Sequence, residues 1–242
     1  MKHFLLFTVL AAVFSLHSCD EGDIIDNTKL SGRDGYTVKM TGVIENLGQW
    51  PSGYTVVMAG YVACDSFPSI AKIVPNRSGS QNFLLGSIST DVQTIELCVV
   101  NRINKKIVSL DTIFDATFSS NYNPADTIFY DADGIDAGMF SSIQKGVFNK
   151  RCINCHGLST RNAANLNLTS ASSYENLYNV ISTKDDNICR VKPYAPDSSM
   201  LFKVLSIVPD STTKWQYDHT RFFYGDNISK LVKDWIESGA SK

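Results

Sequence analysis

Cys152-Ile153-Asn154-Cys155-His156 is the stretch that governs the expected fold and chemistry of the C-terminal part of this chain. Cys-x-x-Cys-His is the spacing by which a polypeptide attaches haem covalently. Each of two thiols separated by two residues can form a thioether with one vinyl group of a porphyrin, and the adjoining imidazole can bind the iron. The motif therefore predicts one covalent haem c, attached through Cys152 and Cys155, with His156 as an axial ligand.

Other uses of a Cys-x-x-Cys pair make different demands on the surrounding sequence. A thioredoxin-like pair follows a strand of a βαβ unit, whereas the apolar residues upstream of this motif recur at helical spacing. These residues are Met139, Phe140, Ile143, Val147 and Phe148. A structural zinc site needs four ligands, and the sequence offers no second Cys/His pair to supply them. Zinc and a disulfide are the alternatives to haem at this motif.

The N-terminal segment predicts export. A short basic start, Met1-Lys2-His3, precedes an apolar run from Phe4 to Leu16, as in a signal peptide. The following residues, Leu16-His17-Ser18-Cys19, resemble a lipobox, although His17 departs from the small residues usual there. The resemblance implies a leader over 1–18, lipidation of the Cys19 thiol and an acylated tether over 19–35. The alternative is an ordinary secretory signal, which also exports the chain.

The acidic residues directly after Cys19 indicate in which membrane the lipid anchor is expected. Asp20 alone resembles an inner-membrane retention signal of lipoproteins, whereas the run Asp20-Glu21-Gly22-Asp23 resembles a surface-export signal of another Gram-negative group. The run favours a lipid anchor in the outer membrane, with exposure at the cell surface as one option. The alternative location is the periplasmic face of the inner membrane.

Composition excludes several classes of protein. The 242 residues include 22 basic and 24 acidic side chains, and no block of charge approaches the basic clustering that nucleic-acid binding requires. No second apolar run has the length needed to span a bilayer. The chain is long enough for two modest domains, and nucleic acid is not expected among its partners.

Residues 36–132 predict a β-sandwich domain. Seven short segments are rich in apolar or β-branched residues: 36–40, 54–63, 70–74, 83–88, 94–100, 106–114 and 127–130. Turn-forming residues separate several of them, as in Pro51-Ser52-Gly53. The simplest architecture is an antiparallel sandwich of immunoglobulin or fibronectin type. Such a domain can serve as a spacer between membrane and haem, or it can bind a sugar or a protein.

Three cysteines have no role in the haem motif or the lipobox. Cys64 and Cys98 both lie in predicted strands, so they can form a disulfide in an exported protein or fill the core as free thiols. Cys189 belongs to the C-terminal part and is a rival partner for either of them. The sequence does not decide between these pairings.

Residues 133–242 predict four helices. The first runs to about Arg151, and the others span 173–181, 198–208 and 227–238. In the last helix one face is apolar, and Gly239 is placed to end the helix. That face consists of Ile228, Leu231, Val232, Trp235 and Ile236.

This order of helices around the haem motif resembles a small class I c-type cytochrome. More narrowly, the motif with Gly157, the stretch from Arg190 to Leu201 and the ending Trp235-Ile236-Glu237-Ser238-Gly239-Ala240 resemble the monohaem domains of bacterial cytochrome lipoproteins. The resemblance covers about 138–242. It implies two domains, an all-β sandwich over 36–132 followed by an all-α class I cytochrome c domain over 133–242.

The second axial ligand is where the chain departs from that family. A Met-Pro pair usually precedes the last helix and supplies the ligand, but Phe222-Phe223 stands there instead. The candidates are then His219, in the loop that normally carries the distal ligand, and Met200, with Met139 a weaker third. A further expectation is that Arg190 and Lys192 pair with the haem propionates, unless they face solvent.

Three functions are compatible with these features. The first is a lipid-anchored monohaem cytochrome c that passes single electrons to and from a redox protein partner or partner domain, with an apolar shell around the haem. That shell is expected from Phe140, Phe148, Leu166, Leu168 and Trp235. The second is a haem enzyme or ligand sensor with an open distal site, polarised by Arg221 or His219. The third is a surface-binding lipoprotein whose sandwich acts through Trp50 and Tyr54, with the haem domain accessory.

Overall fold

The computed structural model describes residues 35–63, 65–77, 79–118, 127–157, 162–223 and 227–242. The leader, Cys19 and nearly all of the tether lie outside these residues, as does Cys64. The described residues all fall within Asp34–Lys242, which packs together as a single unit. The first part of this unit is built from strands and the second part mainly from helices.

Nine strands lie in the described chain, eight of them in the first part and the ninth at the start of the second. The seven long ones match the seven predicted segments, and two short ones were not predicted. The strands are β1 (Tyr36–Gly42), β2 (Ile44–Glu45), β3 (Tyr54–Tyr61), β4 (Ile70–Ile73), β5 (Gln81–Ile88), β6 (Thr94–Asn101), β7 (Lys106–Asp115), β8 (Thr127–Asp131) and β9 (Ile135–Asp136).

The described strands form three sheets. One has the order β5-β1-β8, the second has the order β4-β3-β6-β7, and the third pairs β2 with β9. The expected sandwich is antiparallel, and this holds for the second sheet and for the pair β1/β5. It is wrong for β8, which runs parallel to β1 with Val38 opposite Ile128. Strand β9, outside the predicted sandwich, also runs parallel to its partner β2. Both parallel pairs join strands far apart in sequence, where no short hairpin sets the direction.

A hydrophobic core lies between the two larger sheets. Alternate residues of β1 point inward, so that Val38 and Met40 are fully buried. They share one core cluster with Met58 of β3 and Leu97 of β6. The outer faces of β3 and β6 are also buried, and there the Tyr61 hydroxyl lies 3.1 Å from the Cys98 sulfur, at hydrogen-bonding distance. Cys98 is a free thiol whose pKa burial raises to about 12.

Helices dominate the second part, although most are short. The α-helices of the described chain are α1 (Met139–Ile143), α2 (Ile153–His156), α3 (Ser173–Leu177), α4 (Met200–Ser206) and α5 (Ile228–Glu237). A π-helical stretch, Gln144–Cys152, joins α1 to α2, so the chain is helical up to and through the cysteine motif. Single 3-10 turns lie at Leu47–Gln49, Ala163–Asn165, Pro196–Ser198 and Thr220–Phe222.

Helix α5 fits its prediction closely. All five residues of the predicted apolar face are buried, and Trp235 has only 1% of its surface exposed. Gly239 follows the helix with φ +102°, a left-handed conformation that favours glycine. The predicted helices over 173–181 and 198–208 are too long, because Ile181 instead forms a bridge with Cys189 and α4 ends at Ser206.

The expected all-α class I cytochrome domain over 133–242 is wrong. The chain is mixed, with about 31% of residues in strands and about 27% in helices. The second part contributes β9 to a sheet with β2, and it contains isolated bridges such as Tyr178 with Val191. Sheet pairing therefore extends into the region where the resemblance implied helices alone.

The strand part and the helical part share their core. Phe140, Phe148 and Trp235 belong to the same cluster as the residues between the sheets. A Cβ atom added at Gly146 would lie 2.1 Å from Val108 Cγ2, so the π-helical stretch packs directly on β7. The predicted boundaries at 35/36 and 132/133 stay predictions, but the two parts are joined by continuous packing.

Polar contacts also join the two parts. The Tyr54 hydroxyl donates to Asp234 Oδ2 at 2.6 Å, and Trp50 Nε1 donates to the Ala137 carbonyl at 2.6 Å. Trp50 and Tyr54, the aromatic residues considered for ligand binding by the sandwich, thus contact the helical part. In the described part of the chain, no helix is both long and apolar enough to cross a membrane.

Candidate functional site

The cysteine motif lies at the end of a continuous helical segment. Phe148 of the π-helical stretch is fully buried and its carbonyl accepts from the Ile153 N–H, five residues ahead, which is the π-helical pattern. Stretches of this kind occur often at functional sites, because the extra residue per turn shifts the side chains that follow. Buried Phe148 and Val147 thus fix one side of the helix while the motif emerges at its end.

The two thiols of the motif are free and differ in exposure. Cys152 is partly buried against the core, whereas Cys155 is exposed. Burial raises the pKa of the Cys152 thiol to about 11, although Arg151 opposes the shift. Both sulfurs are available for covalent modification, because neither is taken up in a disulfide.

His156 is hydrogen-bonded to backbone carbonyls. Its Nδ1 lies 3.0 Å from the Ala163 carbonyl oxygen, which can only accept, so Nδ1 carries a proton. Burial lowers the pKa of His156, although hydrogen bonds with the backbone of Ala163 and Leu166 act to raise it. An imidazole whose Nδ1 is held by a carbonyl is the usual arrangement of a metal-binding histidine.

His219 has a similar hydrogen bond. Its Nδ1 lies 3.0 Å from the Tyr217 carbonyl oxygen. Burial lowers the pKa of His219, and the nearby His156 lowers it further. The two imidazole rings lie with their centres 6.4 Å apart and their planes 25° from parallel. The structure therefore brings together His156 and His219, the two histidines named as ligand candidates.

The distance between the two ring centres can be compared with the distance expected for two imidazoles that bind one metal ion. An imidazole nitrogen binds a transition metal at about 2.0–2.1 Å and the ring centre lies roughly 1 Å beyond it, so two imidazoles on opposite sides of one ion have centres about 6 Å apart. The observed 6.4 Å agrees with this value. The same value also lies within the range of about 4.5–7 Å that aromatic pairs in direct contact occupy.

The segment that carries His219 is held against the motif helix. Arg151 Nη1 donates to the Phe222 carbonyl at 2.5 Å, and its guanidinium lies 5.2 Å from the centre of the Phe223 ring. Asp218 Oδ1 accepts from the Thr220 N–H at 2.9 Å and tightens the turn that follows. Because Arg151 precedes Cys152 directly, the motif and the His219 segment are positioned together.

The other candidate ligands lie elsewhere. Met200 is buried at the start of α4, where its N–H donates to the Cys189 carbonyl at 2.8 Å. Met139 is buried in the main core at the start of α1. Both positions are those of methionines that fill an apolar interior.

Arg190 and Lys192 differ sharply in environment. Lys192 is exposed, whereas Arg190 is buried and its guanidinium donates to three backbone carbonyls. Those of Asn176 and Asn165 lie at 2.9 and 3.0 Å, and that of Ala164 at 3.2 Å. These partners give no signal in the sequence, because the acceptors are main-chain groups.

Three of the five residues expected in the apolar shell are buried aromatic side chains, and they form a group. Phe140 lies 5.3 Å from Trp235 and 6.4 Å from Phe148 between ring centres. Leu168 is buried and Leu166 is partly buried. This group supports α1 and the π-helical stretch, and through them the cysteine motif.

Two further observations bear on what the site can hold. Trp215 Nε1, in the same segment as His219, is buried and has no hydrogen-bond partner among the described residues. Such a donor costs about 1–3 kcal/mol unless an acceptor reaches it. The described residues contain no group of three or more His, Cys, Asp or Glu side chains that could hold a metal ion. A zinc site with four protein ligands is therefore not formed among them.

No protein-family model matches this chain, and the comparisons with curated proteins and with solved structures also gave no match.

Proposed function

We propose that this protein is an exported, lipid-anchored monohaem electron carrier, with haem c attached through Cys152 and Cys155 and bound axially by His156 and His219. The observation that carries the proposal is the pair of imidazoles with centres 6.4 Å apart. Each has its Nδ1 hydrogen-bonded to a backbone carbonyl. Two nitrogen ligands at this spacing suit one iron in a low-spin state.

Haem c supplies a single iron that takes up and releases one electron. The residues of this chain have other tasks. Cys152 and Cys155 provide the two thiols that make attachment permanent, and the helix that ends at His156 fixes their spacing. Carbonyl acceptors at Ala163 and Tyr217 hold the two imidazoles in one orientation and make them stronger electron donors.

The electron-carrier function is favoured over an enzyme or sensor by the position of His219. An open distal site requires that no protein group reach the iron, and the 6.4 Å between the His156 and His219 ring centres supports His219 as a second ligand instead. Ligation by two histidines lowers the redox potential relative to histidine and methionine, because a thioether favours ferrous iron. The expected partner is a redox protein, or a partner domain, that works at low potential.

The lipid anchor and the location rest on the sequence alone. Cys19 and the leader lie outside the described residues, so the anchor in the outer membrane stays a prediction from the lipobox and the acidic run.

A test needs the full chain produced in a host that attaches haem c. The mass of the purified protein should increase by one haem, and its reduced and oxidised optical spectra should interconvert fully with one electron. Carbon monoxide added to the reduced protein should leave its spectrum unchanged, because both axial positions are occupied. A spectral change with carbon monoxide would favour the enzyme or sensor instead, and a protein without covalent haem would exclude both functions.

A further inference from the structure

The orientation of His156 depends on a short loop. Its Nδ1–H donates to the Ala163 carbonyl at 3.0 Å, and its own carbonyl accepts from the Leu168 N–H at 2.7 Å. The carbonyl that receives the imidazole proton belongs to the 3-10 turn Ala163–Asn165. The direction and the basicity of the ring therefore follow the conformation of this turn.

The turn has an unfavourable backbone. Ala164 has φ +56° and Asn165 has φ +51°, so two consecutive residues with a Cβ atom occupy the left-handed region. Left-handed backbone is costly for alanine, and it persists only where surrounding contacts impose it. Something outside the turn must therefore hold its carbonyls in place.

Arg190 makes those contacts. Its Nη2 donates to the carbonyls of Ala164 and Asn165 at 3.2 and 3.0 Å, and its Nη1 donates to the carbonyl of Asn176 at 2.9 Å. Only 8% of the Arg190 surface is exposed, so its planar guanidinium lies inside the loop with several N–H donors available to the carbonyls there. Thr183 Oγ1 adds a second, weaker contact with the Ala164 carbonyl at 2.9 Å.

We propose that Arg190 is a positioning residue for His156. It holds Ala164 and Asn165 in the left-handed conformation, so that the Ala163 carbonyl accepts a hydrogen bond from His156 Nδ1–H. With haem c attached, this bond would lower the potential of the iron. This role rests on the proposed function as a haem c protein. It differs from the propionate pairing expected from the sequence, because the guanidinium is directed at main-chain carbonyls.

Charge and position make opposite predictions for the redox potential. Removing a nearby positive charge favours ferric iron and lowers the potential. Losing the carbonyl partner of His156 weakens the imidazole as an electron donor, favours ferrous iron and raises the potential. In a variant that keeps the charge, a positioning role therefore predicts a higher potential and a purely electrostatic role predicts no change.

The experiment compares Arg190→Met and Arg190→Lys with the unaltered full-length haem protein. Lysine keeps the charge but cannot direct a planar fork at three carbonyls. Arg190→Lys should raise the potential, and Arg190→Met should raise it less because it also removes the charge. Both variants should speed hydrogen exchange at the Asn165 and Leu166 amides by at least about tenfold. Those amides donate to the Asn162 and Ala163 carbonyls in the native turn.

Two further variants keep the outcome interpretable. Lys184→Met removes an exposed charge from the same region and should change neither quantity. Thr183→Val removes only the weaker contact with the Ala164 carbonyl. It should therefore raise both the hydrogen-exchange rate and the redox potential, but by less than Arg190→Lys does. This variant still tests the inference if Arg190→Met does not fold. Because Arg190→Lys keeps the charge, unaltered potential and unaltered hydrogen exchange in that variant would exclude the positioning role.

Failure of the proposed function would look different. An unaltered protein that carries no covalent haem would remove the proposed function, while hydrogen exchange at Asn165 and Leu166 would still report whether Arg190 holds the turn. Unchanged exchange in Arg190→Met would overturn the inference in either case.

Discussion

The imidazole rings of His156 and His219 lie 6.4 Å apart, with planes inclined by 25°, and each ring has its Nδ1 bonded to a backbone carbonyl. This relationship connects the end of the motif helix with the segment before α5, two parts of the chain that are far apart in sequence. It brings the candidate second ligand, His219, close to the motif in a chain that has Phe222-Phe223 in place of a Met-Pro pair.

Loss of both motif thiols is expected to abolish covalent haem. Thioether attachment uses the sulfurs of Cys152 and Cys155, which are both free. The double variant Cys152→Ala/Cys155→Ala should therefore show no haem stain after denaturing electrophoresis. Cys189→Ala is the matched control, because it removes a free thiol outside the motif and should keep the stain. Haem that survives denaturation in the double variant would refute covalent attachment at this motif.

Replacement of Cys19 is expected to release the protein from the membrane. Lipidation requires that thiol, and an exported chain without the lipid has no other predicted anchor. In cell fractionation, Cys19→Ser should move the protein from the membrane fraction to a soluble exported pool. Ser18→Ala, which keeps the thiol, should leave the distribution unchanged. If Cys19→Ser stays in the membrane fraction, the lipobox interpretation is wrong.

Gly146→Ala is expected to destabilise the fold. A Cβ atom there would meet Val108 Cγ2 at 2.1 Å, so the π-helical stretch or β7 must move. Overpacking of this kind costs about 1–3 kcal/mol in free energy of unfolding, even though alanine favours helix. Urea denaturation measures the difference. Gly86→Ala is the control, because its Cβ atom would lie 3.6 Å from Thr37 Oγ1 and meet no clash. Equal stability of the two variants would contradict the direct packing of the two parts.

The pH dependence of the free energy of unfolding should show a stabilising contribution from the ionised side chain of Asp136. Burial acts to raise its pKa, but hydrogen bonds from Ser141, Asn46 and the Gly138 N–H outweigh burial and lower the pKa below its usual value. A carboxylate with a lowered folded pKa stabilises the fold at neutral pH, and this contribution is lost as pH falls through that pKa.

Asp136→Asn should therefore lower the free energy of unfolding by about 1 kcal/mol at neutral pH. The difference from the unaltered protein should shrink below about pH 4, where the unfolded carboxyl is protonated. Asp186→Asn, at an exposed position, serves as control and should change little at any pH. A difference at Asp136 that stays constant from neutral to acidic pH would exclude the ionised carboxylate as its cause.

Local patterns are sufficient to predict much of the fold. The alternation of residues 36–40 predicts β1, and the apolar stripe from Ile228 to Ile236 predicts α5, because burial of one face is a property of a single segment. The parallel pairing of β1 with β8 cannot be predicted in the same way, since it depends on a partner about 90 residues away. The π-helical stretch Gln144–Cys152 likewise gives no signal in residue type.

The residues of the candidate site also differ in whether the sequence can predict them. Cys152, Cys155 and His156 are recognisable by their spacing, and His219 by its place before α5. The contacts of Arg190 are not predictable from the sequence, because its acceptors are main-chain carbonyls that become its neighbours only when the loop folds. The contact of Arg151 is not predictable from the sequence either, because its partner is the main-chain carbonyl of Phe222.

The spin state of the iron in the His219 variants is the most direct test of the central claim, that His219 binds the iron. Optical and electron paramagnetic resonance spectra of the purified, oxidised protein should show low-spin iron, and His219→Ala should convert it to high-spin. His219→Met should restore low-spin iron at a higher potential, because a thioether favours the ferrous state. Met200→Leu, a volume-conserving change in a buried position, should leave the spectra unchanged. Spectra that respond to Met200→Leu but not to His219→Ala would contradict ligation by His219.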